Sequence, residues 1–258
     1  MTYIDTHAHL YADQFDDDRT EMIQRAIDQG VQKILLPNIN LDSIDGMESL
    51  TKQFPEVCYS MMGIHPCDVK ENWEDQLATA KTRFLKGKHI AIGEIGIDLY
   101  WDKSLKKEQT AAFTEQIRWA KEESLPIVIH CRESFDEIFE VIDKENDESL
   151  FGIFHCFTGT ENQAQKILEY GGFKLGIGGV VTFKNSGLDK VLKNVSPDYL
   201  VLETDAPYLA PSPHRGKRNE SSYIPLIAEK LASIYGLSKT EIGQITTKNA
   251  LEIFQLNE

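Results

Sequence analysis

Six side chains able to bind a divalent cation sit at the ends of short apolar runs in this chain. His7 and His9 close the first run, Glu94 the fourth, His130 the fifth, His155 the sixth and Asp205 the eighth. Imidazole and carboxylate are ordinary ligands of catalytic cations, and four of one with two of the other suit a two-metal hydrolytic centre. A lone His in such a run is more often a core residue with a satisfied hydrogen bond. Six such residues at equivalent places read as ligands. In an extended strand, residues i and i+2 share a face. That spacing predicts one face for Asp5, His7 and His9, and one for Glu203 and Asp205. Ile4, Thr6, Ala8, Leu202 and Thr204 would then turn outward.

The ligands span about 200 positions, so the fold must gather them. The apolar runs are Tyr3–His9, Lys33–Ile39, Cys58–His65, Ile90–Asp98, Pro126–Cys131, Phe151–Phe157, Phe173–Gly179 and Leu200–Pro207. Between them, apolar residues recur at helical spacing, as in Phe113, Ile117 and Ala120. Strands alternating with helices point to a parallel sheet covered on both faces. Eight such units in 258 residues predict an α/β fold, a single (β/α)8 TIM barrel. The C-terminal ends of its strands share one mouth, where active sites form. An open doubly wound sheet is the alternative, but it feeds a site from few strands. No linker, repeat or low-complexity stretch divides the chain, so residues 1–258 are expected to form one hydrolase domain.

Composition narrows the rest. The chain has 41 acidic and 27 basic residues, a formal net charge of −14, which disfavours a general nucleic-acid-binding surface. One basic cluster, His214-Arg-Gly-Lys-Arg-Asn219, follows the eighth run. Loops at that place often bind phosphate in this fold, so Arg215, Lys217 and Arg218 are expected to contact substrate phosphates. Lys103, Lys106 and Lys107 could add to the positive field or form an exposed helical turn. No secretory leader and no apolar stretch of membrane-spanning length is visible, so a soluble, cytoplasmic protein is expected. Its four cysteines are then reduced. Cys131 and Cys156 each follow a ligand His, so alternation turns them toward the helices as small buried hydrophobes.

The stretches Asp5-Thr-His-Ala-His9, Gly63-Ile-His-Pro66, Gly93-Glu-Ile-Gly-Ile-Asp98, His155-Cys-Phe-Thr-Gly159, Glu203-Thr-Asp-Ala-Pro-Tyr208 and Pro213-His-Arg-Gly-Lys-Arg-Asn219 together resemble the TatD family of metal-dependent deoxyribonucleases, within the amidohydrolase-like barrels. The likeness runs from the first strand to the last loop. It departs at Leu99-Tyr100, where the family often has two tyrosines. The resemblance implies two divalent cations (Mg, Mn or Zn). His7, His9, Glu94 and Asp205 would hold one. Glu94, His130 and His155 would hold the other, making Glu94 the bridge. Asp205 and Glu94 would be the catalytic carboxylates, with Asp205 moving the proton of the attacking water. His65 looks like a substrate or supporting residue, and Glu203 is expected to orient a ligand His from one layer below. The implied substrate is DNA, as single strands or ends, with no membrane and no obligate protein partner. An amidase, lactonase or phosphotriesterase on the same barrel is the alternative. A binding barrel with a relic site is less consistent with six intact ligands.

Overall fold

Runs rich in Ile, Val and Leu become strands buried on both faces, and the amphipathic stretches between them become helices. The computed structural model describes residues 2–257. Its strands are β1 (Tyr3–Asp5), β2 (Val31–Pro37), β3 (Cys58–Met61), β4 (Ile92–Asp98), β5 (Ile127–Arg132), β6 (Gly152–Phe154), β7 (Phe173–Ile177) and β8 (Leu200–Leu202). Helices α1 (Arg19–Asp28), α2 (Ile44–Gln53), α3 (Trp73–Phe84), α4 (Lys106–Glu123), α5 (Phe135–Glu145), α6 (Glu161–Glu169) and α7 (Leu188–Leu192) follow β1 to β7 in turn. After β8 come α8 (Ile224–Tyr235) and α9 (Lys239–Ile253). The α6 and α9 N-termini are closed by capping boxes, Thr160 with Gln163 and Ser238 with Glu241.

Every strand pairs in parallel with its neighbour in the chain, in one arc of β1-β2-β3 and one of β4 to β8. The arcs meet at both seams. Met62 bridges Ile92, and Ala8 bridges Ala206. Backbone bonds reinforce them, with Gly93 N to Met62 O at 2.9 Å and Thr6 N to Leu202 O at 2.9 Å. The ring order is the chain order, as the (β/α)8 fold requires.

Ile4, Leu35, Met61, Ala91, Val128, Ile153 and Val201 pack together with Ala250, Ile253 and Phe254. Residues from so many strands can meet only inside the ring, so this cluster is the barrel floor, closed by the end of α9. Ile34, Leu36, Ile127 and Ile129 belong to the larger cluster under the helices. Since Val128, Ile153 and Val201 point inward, alternation also aims His130, His155 and Glu203 inward.

Two expectations need correction. Ile4 points inward, so Asp5 does not share a face with His7. Its buried carboxylate instead accepts from Thr204 Oγ1 at 2.6 Å, Thr204 N at 2.9 Å and His7 N at 3.3 Å. Regular pairing stops at Asp5, and the alternation is reset before His7. Burial pushes the Asp5 pKa up to about 7 against those hydrogen bonds. Nor does Glu94 close its strand. It is third of seven residues in β4. The strand starts level with β5 but higher in the ring than β3: Ile92 pairs with Ile127 and bridges Met62, one residue past β3, and Glu94 N donates to Asn38 O at 3.1 Å, one residue past β2. An early position in β4 is therefore level with the mouth. No described helix is long and apolar enough to cross a membrane.

Phe254 is 2 % exposed and closes the floor. Phe254→Ala is expected to destabilise the protein by about 3–5 kcal/mol, read as a lower urea midpoint.

Candidate metal centre

Glu94 stands at the middle of the mouth, buried, with each oxygen facing a different set of donors. Oε2 lies 3.1 Å from His7 Nε2 and 3.6 Å from His9 Nε2. Asp205 Oδ1 completes this set, 3.6 Å from His9 Nε2 and 3.9 Å from His7 Nε2. Oε1 lies 2.8 Å from His130 Nδ1 and 3.4 Å from His155 Nε2. The structure thus brings together all six residues expected as ligands. Asp205 has φ 57°, a left-handed conformation that Asp tolerates better than most residues. It turns the chain at the end of β8 and brings the carboxylate over the mouth.

The outer nitrogens of His9, His155 and His130 each face a partner, whereas the buried His7 Nδ1 has no hydrogen bond among the described residues. Tyr11 donates its hydroxyl proton to Pro37 O at 2.6 Å, so at 3.0 Å it accepts from His9 Nδ1. That leaves the His9 Nε2 lone pair for the centre. His155 Nδ1 lies 3.2 Å from Glu203 Oε1, which also accepts from Cys156 N at 2.6 Å. Gly176 makes room for this carboxylate, since a Cβ there would lie 2.1 Å from Glu203 Oε2. His130 Nε2 bonds Asp98 Oδ2 at 2.8 Å. His65 differs. Its Nδ1 accepts from Cys67 N at 3.1 Å, so in the neutral ring Nε2 carries the proton. His65 Nε2 is 3.4 Å from Glu94 Oε1, close enough to be grouped with Glu94 and His130. In that tautomer Nε2 is a donor, facing Glu94 Oε1 and, at 3.2 Å, His130 Nδ1.

The charges balance internally. Burial pushes the Glu94 pKa up, but His65, His7 and His155 outweigh it and hold the carboxyl well below its usual range. Asp205 is lowered too, because its bond to His9 and the charges of His155 and His7 outweigh burial. Burial lowers His7 and His65. It also opposes charge on His155, yet Glu203 and Glu94 carry that pKa up to about 10. His130 is raised by Asp98 and Glu94 against burial. Two sets of buried imidazole nitrogens around a shared, ionised carboxylate fit a pair of divalent cations by donor chemistry.

The cleft above this centre has a volume of about 650 Å³. Among its walls are Trp101, Arg132, Thr158, Tyr208 and Leu209, none of which the sequence reading singled out. Asp98 was missed as well, although it lies four residues past Glu94 on the same strand face, a visible signal. Arg132 follows His130 by two and carried the same signal.

The basic loop lies elsewhere. Arg215, Lys217 and Arg218 are not part of the cleft wall. Arg218 forks onto Asp18 at 2.7 and 2.8 Å and lies over the Phe15 ring. Its donors are used in tying the last loop to the segment after β1. Arg215 stacks on Phe183 at 3.9 Å, and Lys217 is exposed. Lys106 pairs with Glu137 at 2.5 Å. Cys131 packs against the helix-side core, but it is half-buried, not buried, and also reaches the cleft wall. Cys156 does not pack against that core, because its φ of 47° breaks the alternation and places its sulfur beside His155 and Asp205. Burial pushes both thiols up, Cys131 to about 12, so neither is a ready nucleophile.

A family model described as TatD related DNase matches residues 4–255. The chain is 40 % identical to the uncharacterized metal-dependent hydrolase YabD of Bacillus subtilis, covering 98 % of this chain and 99 % of that protein. It is 36 % identical to the 3'-5' ssDNA/RNA exonuclease TatD of Cronobacter sakazakii, covering 98 % of each. The crystal structure of YJJV, a TatD homologue from Escherichia coli, superposes with a TM-score of 0.92 at 27 % identity, covering 99 % of this chain and 98 % of that one.

The Asp18–Arg218 fork gives a pH-dependent prediction. Arg218 first, then Arg25, hold the Asp18 pKa well below the usual carboxylate range. A depressed folded pKa adds stability above the unfolded pKa of about 3.9, and loses it as pH falls through the folded value. The side chain is 31 % exposed, so Asp18→Asn should cost about 1 kcal/mol or less at pH 7. Urea midpoints of variant and parent should converge as pH falls below about 4. A gap that stays constant would remove the fork as its source.

Proposed function

This chain belongs to the TatD related DNase family, and on that premise we propose that it is a metal-dependent nuclease hydrolysing phosphodiester bonds in single-stranded DNA or at DNA ends. The observation that carries the reading is Glu94, one buried carboxylate with an oxygen turned to each of two donor sets. His7, His9, Glu94 and Asp205 would hold one divalent cation, and Glu94, His130 and His155 a second. Bound cations would lower the pKa of water and offset charge on the phosphoryl oxygens. By ligand softness the imidazoles favour Mn or Zn over Mg. We read residues 1–258 as one hydrolase domain working in the cytoplasm.

The chain's own groups divide the remaining work. Asp205 keeps 14 % of its side chain open and Glu94 only 3 %. Asp205, held anionic, therefore takes the proton of the attacking water and returns it to the leaving oxygen. Glu94 stays ionised and fixes the two sets relative to each other. Glu203 and Asp98 orient His155 and His130. His65 Nε2–H donates toward a phosphoryl oxygen, which serves a transition state gaining charge there.

Metal-loaded protein, assayed against a single-stranded oligonucleotide, its duplex, an aryl phosphodiester and a lactone, tests the assignment. Turnover of the lactone alone would overturn it. Chelation should abolish nuclease turnover while the circular dichroism spectrum persists, because the floor cluster contains none of the ligands. His9→Ala and His155→Ala should each cost on the order of 100-fold or more in kcat. His65→Ala should lose turnover yet keep its bound metal by elemental analysis. Loss of metal from that variant would make His65 a ligand.

A further inference from the structure

At the rim of the cleft, three side chains form a unit that the donor sets do not use. Trp101 is 70 % exposed and Tyr100 48 %, and their rings meet edge to face at 4.9 Å. The Arg132 guanidinium lies over Tyr100, 3.8 Å from the ring centre, and 5.3 Å from that of Trp101. Among the described residues, Arg132 is the one Arg or Lys in the cleft wall, and its side chain has no ion pair or hydrogen bond. Contact with a ring face leaves the in-plane N–H edge of a guanidinium free. That edge forms a two-pronged bond to a phosphate.

A single carboxylate fastens this shelf to the metal centre. Asp98 Oδ1 accepts from Tyr100 N at 2.9 Å and Trp101 N at 3.3 Å, while its Oδ2 bonds His130. Arg132 lies two residues past His130 on β5 and is paired with Asp98 across the strands. A group seated on the shelf is therefore held at a set offset from the donors around Glu94.

We propose that Arg132 and Trp101 form a subsite for one nucleotide flanking the scissile bond, the guanidinium taking its phosphate and the indole stacking on its base. The inference rests on the nuclease reading. An open indole face accepts any base, and stacking of this kind tolerates sequence. A base inside a duplex has its faces covered by neighbours and must be unstacked first. The shelf therefore selects unpaired nucleotides without choosing among bases.

Binding and hydrolysis are measured separately. Fluorescence anisotropy of a labelled oligothymidylate is read on Mn-loaded Asp205→Asn protein, which is disabled in turnover. In that background, Trp101→Ala and Arg132→Ala are each expected to raise Kd about tenfold or more, and Trp101→Phe to restore most of the loss. Arg132→Ala should also lower the slope of log affinity against log salt by about 0.7. With Asp205 intact, both variants should raise KM for the oligonucleotide more than for bis(4-nitrophenyl) phosphate. Unchanged Kd in both variants overturns the subsite. So does equal loss on both substrates, which would signal collapse of the turn on Asp98, and so does binding of duplex as tight as of single strand. If the intact protein hydrolyses no diester while binding still depends on Trp101 and Arg132, the nuclease reading fails and the subsite stands.

Discussion

The whole mouth depends on keeping one carboxylate ionised in the barrel interior. An unpaired charge there costs several kcal/mol even after relaxation. Glu94 avoids that cost by gathering His7, His9, His65, His130 and His155 within 4 Å of its oxygens. These partners come from β5 and from the segments just past β1, β3 and β6. Such an arrangement needs strand ends that converge, and the ring provides it. The fold and the charge are thus one problem. A barrel with β5 and β6 slipped by one residue would turn His130 and His155 toward the helices and take two of these five partners from Glu94.

Much of this was legible in the chain because period-2 alternation and strand-end placement are local properties. All six residues gathered around the mouth could be named from their place near strand ends, and His130, His155 and Glu203 also from alternation, which holds along β5, β6 and β8. The errors fall where regularity stops. Alternation puts Asp5 beside His7, but nothing local says that β1 ends there and that its carboxylate turns to Thr204. Alternation also turns Cys156 outward, but a left-handed residue after a strand reverses the parity of the residues beyond it. Glu94 reads as the close of β4 because the vertical offset between strands is set by pairing across the seam.

The basic loop shows a different limit. Charge pattern gives the sign of a segment, not the partner of each side chain. Arg215 and Arg218 lie on the mouth side, but aromatic rings and Asp18 claim them. In so acidic a chain several cations find a carboxylate within the molecule, as Arg25, Arg83 and Lys121 do. What distinguishes Arg132 from Arg215, which is also held by a ring, is its place in the cleft wall. An arginine held by ring faces keeps its charge and its donors for something from outside, whereas one forked onto Asp does not.

Asp98 connects these levels. One oxygen orients His130 and the other holds the turn that carries Tyr100 and Trp101. Its pKa is lowered to about 2, as the His130 bond and the turn N–H groups outweigh burial, so it accepts at both ends at neutral pH. A rim that grips a flexible strand gains little unless the gripped nucleotide is in register with the reacting bond. A separate rim loop could drift relative to the ligands. A turn bonded to the same carboxylate as His130 is tied to that imidazole. The short spacing from Glu94 to Trp101 along the chain thus does in one strand and one turn what would otherwise need a second packed element.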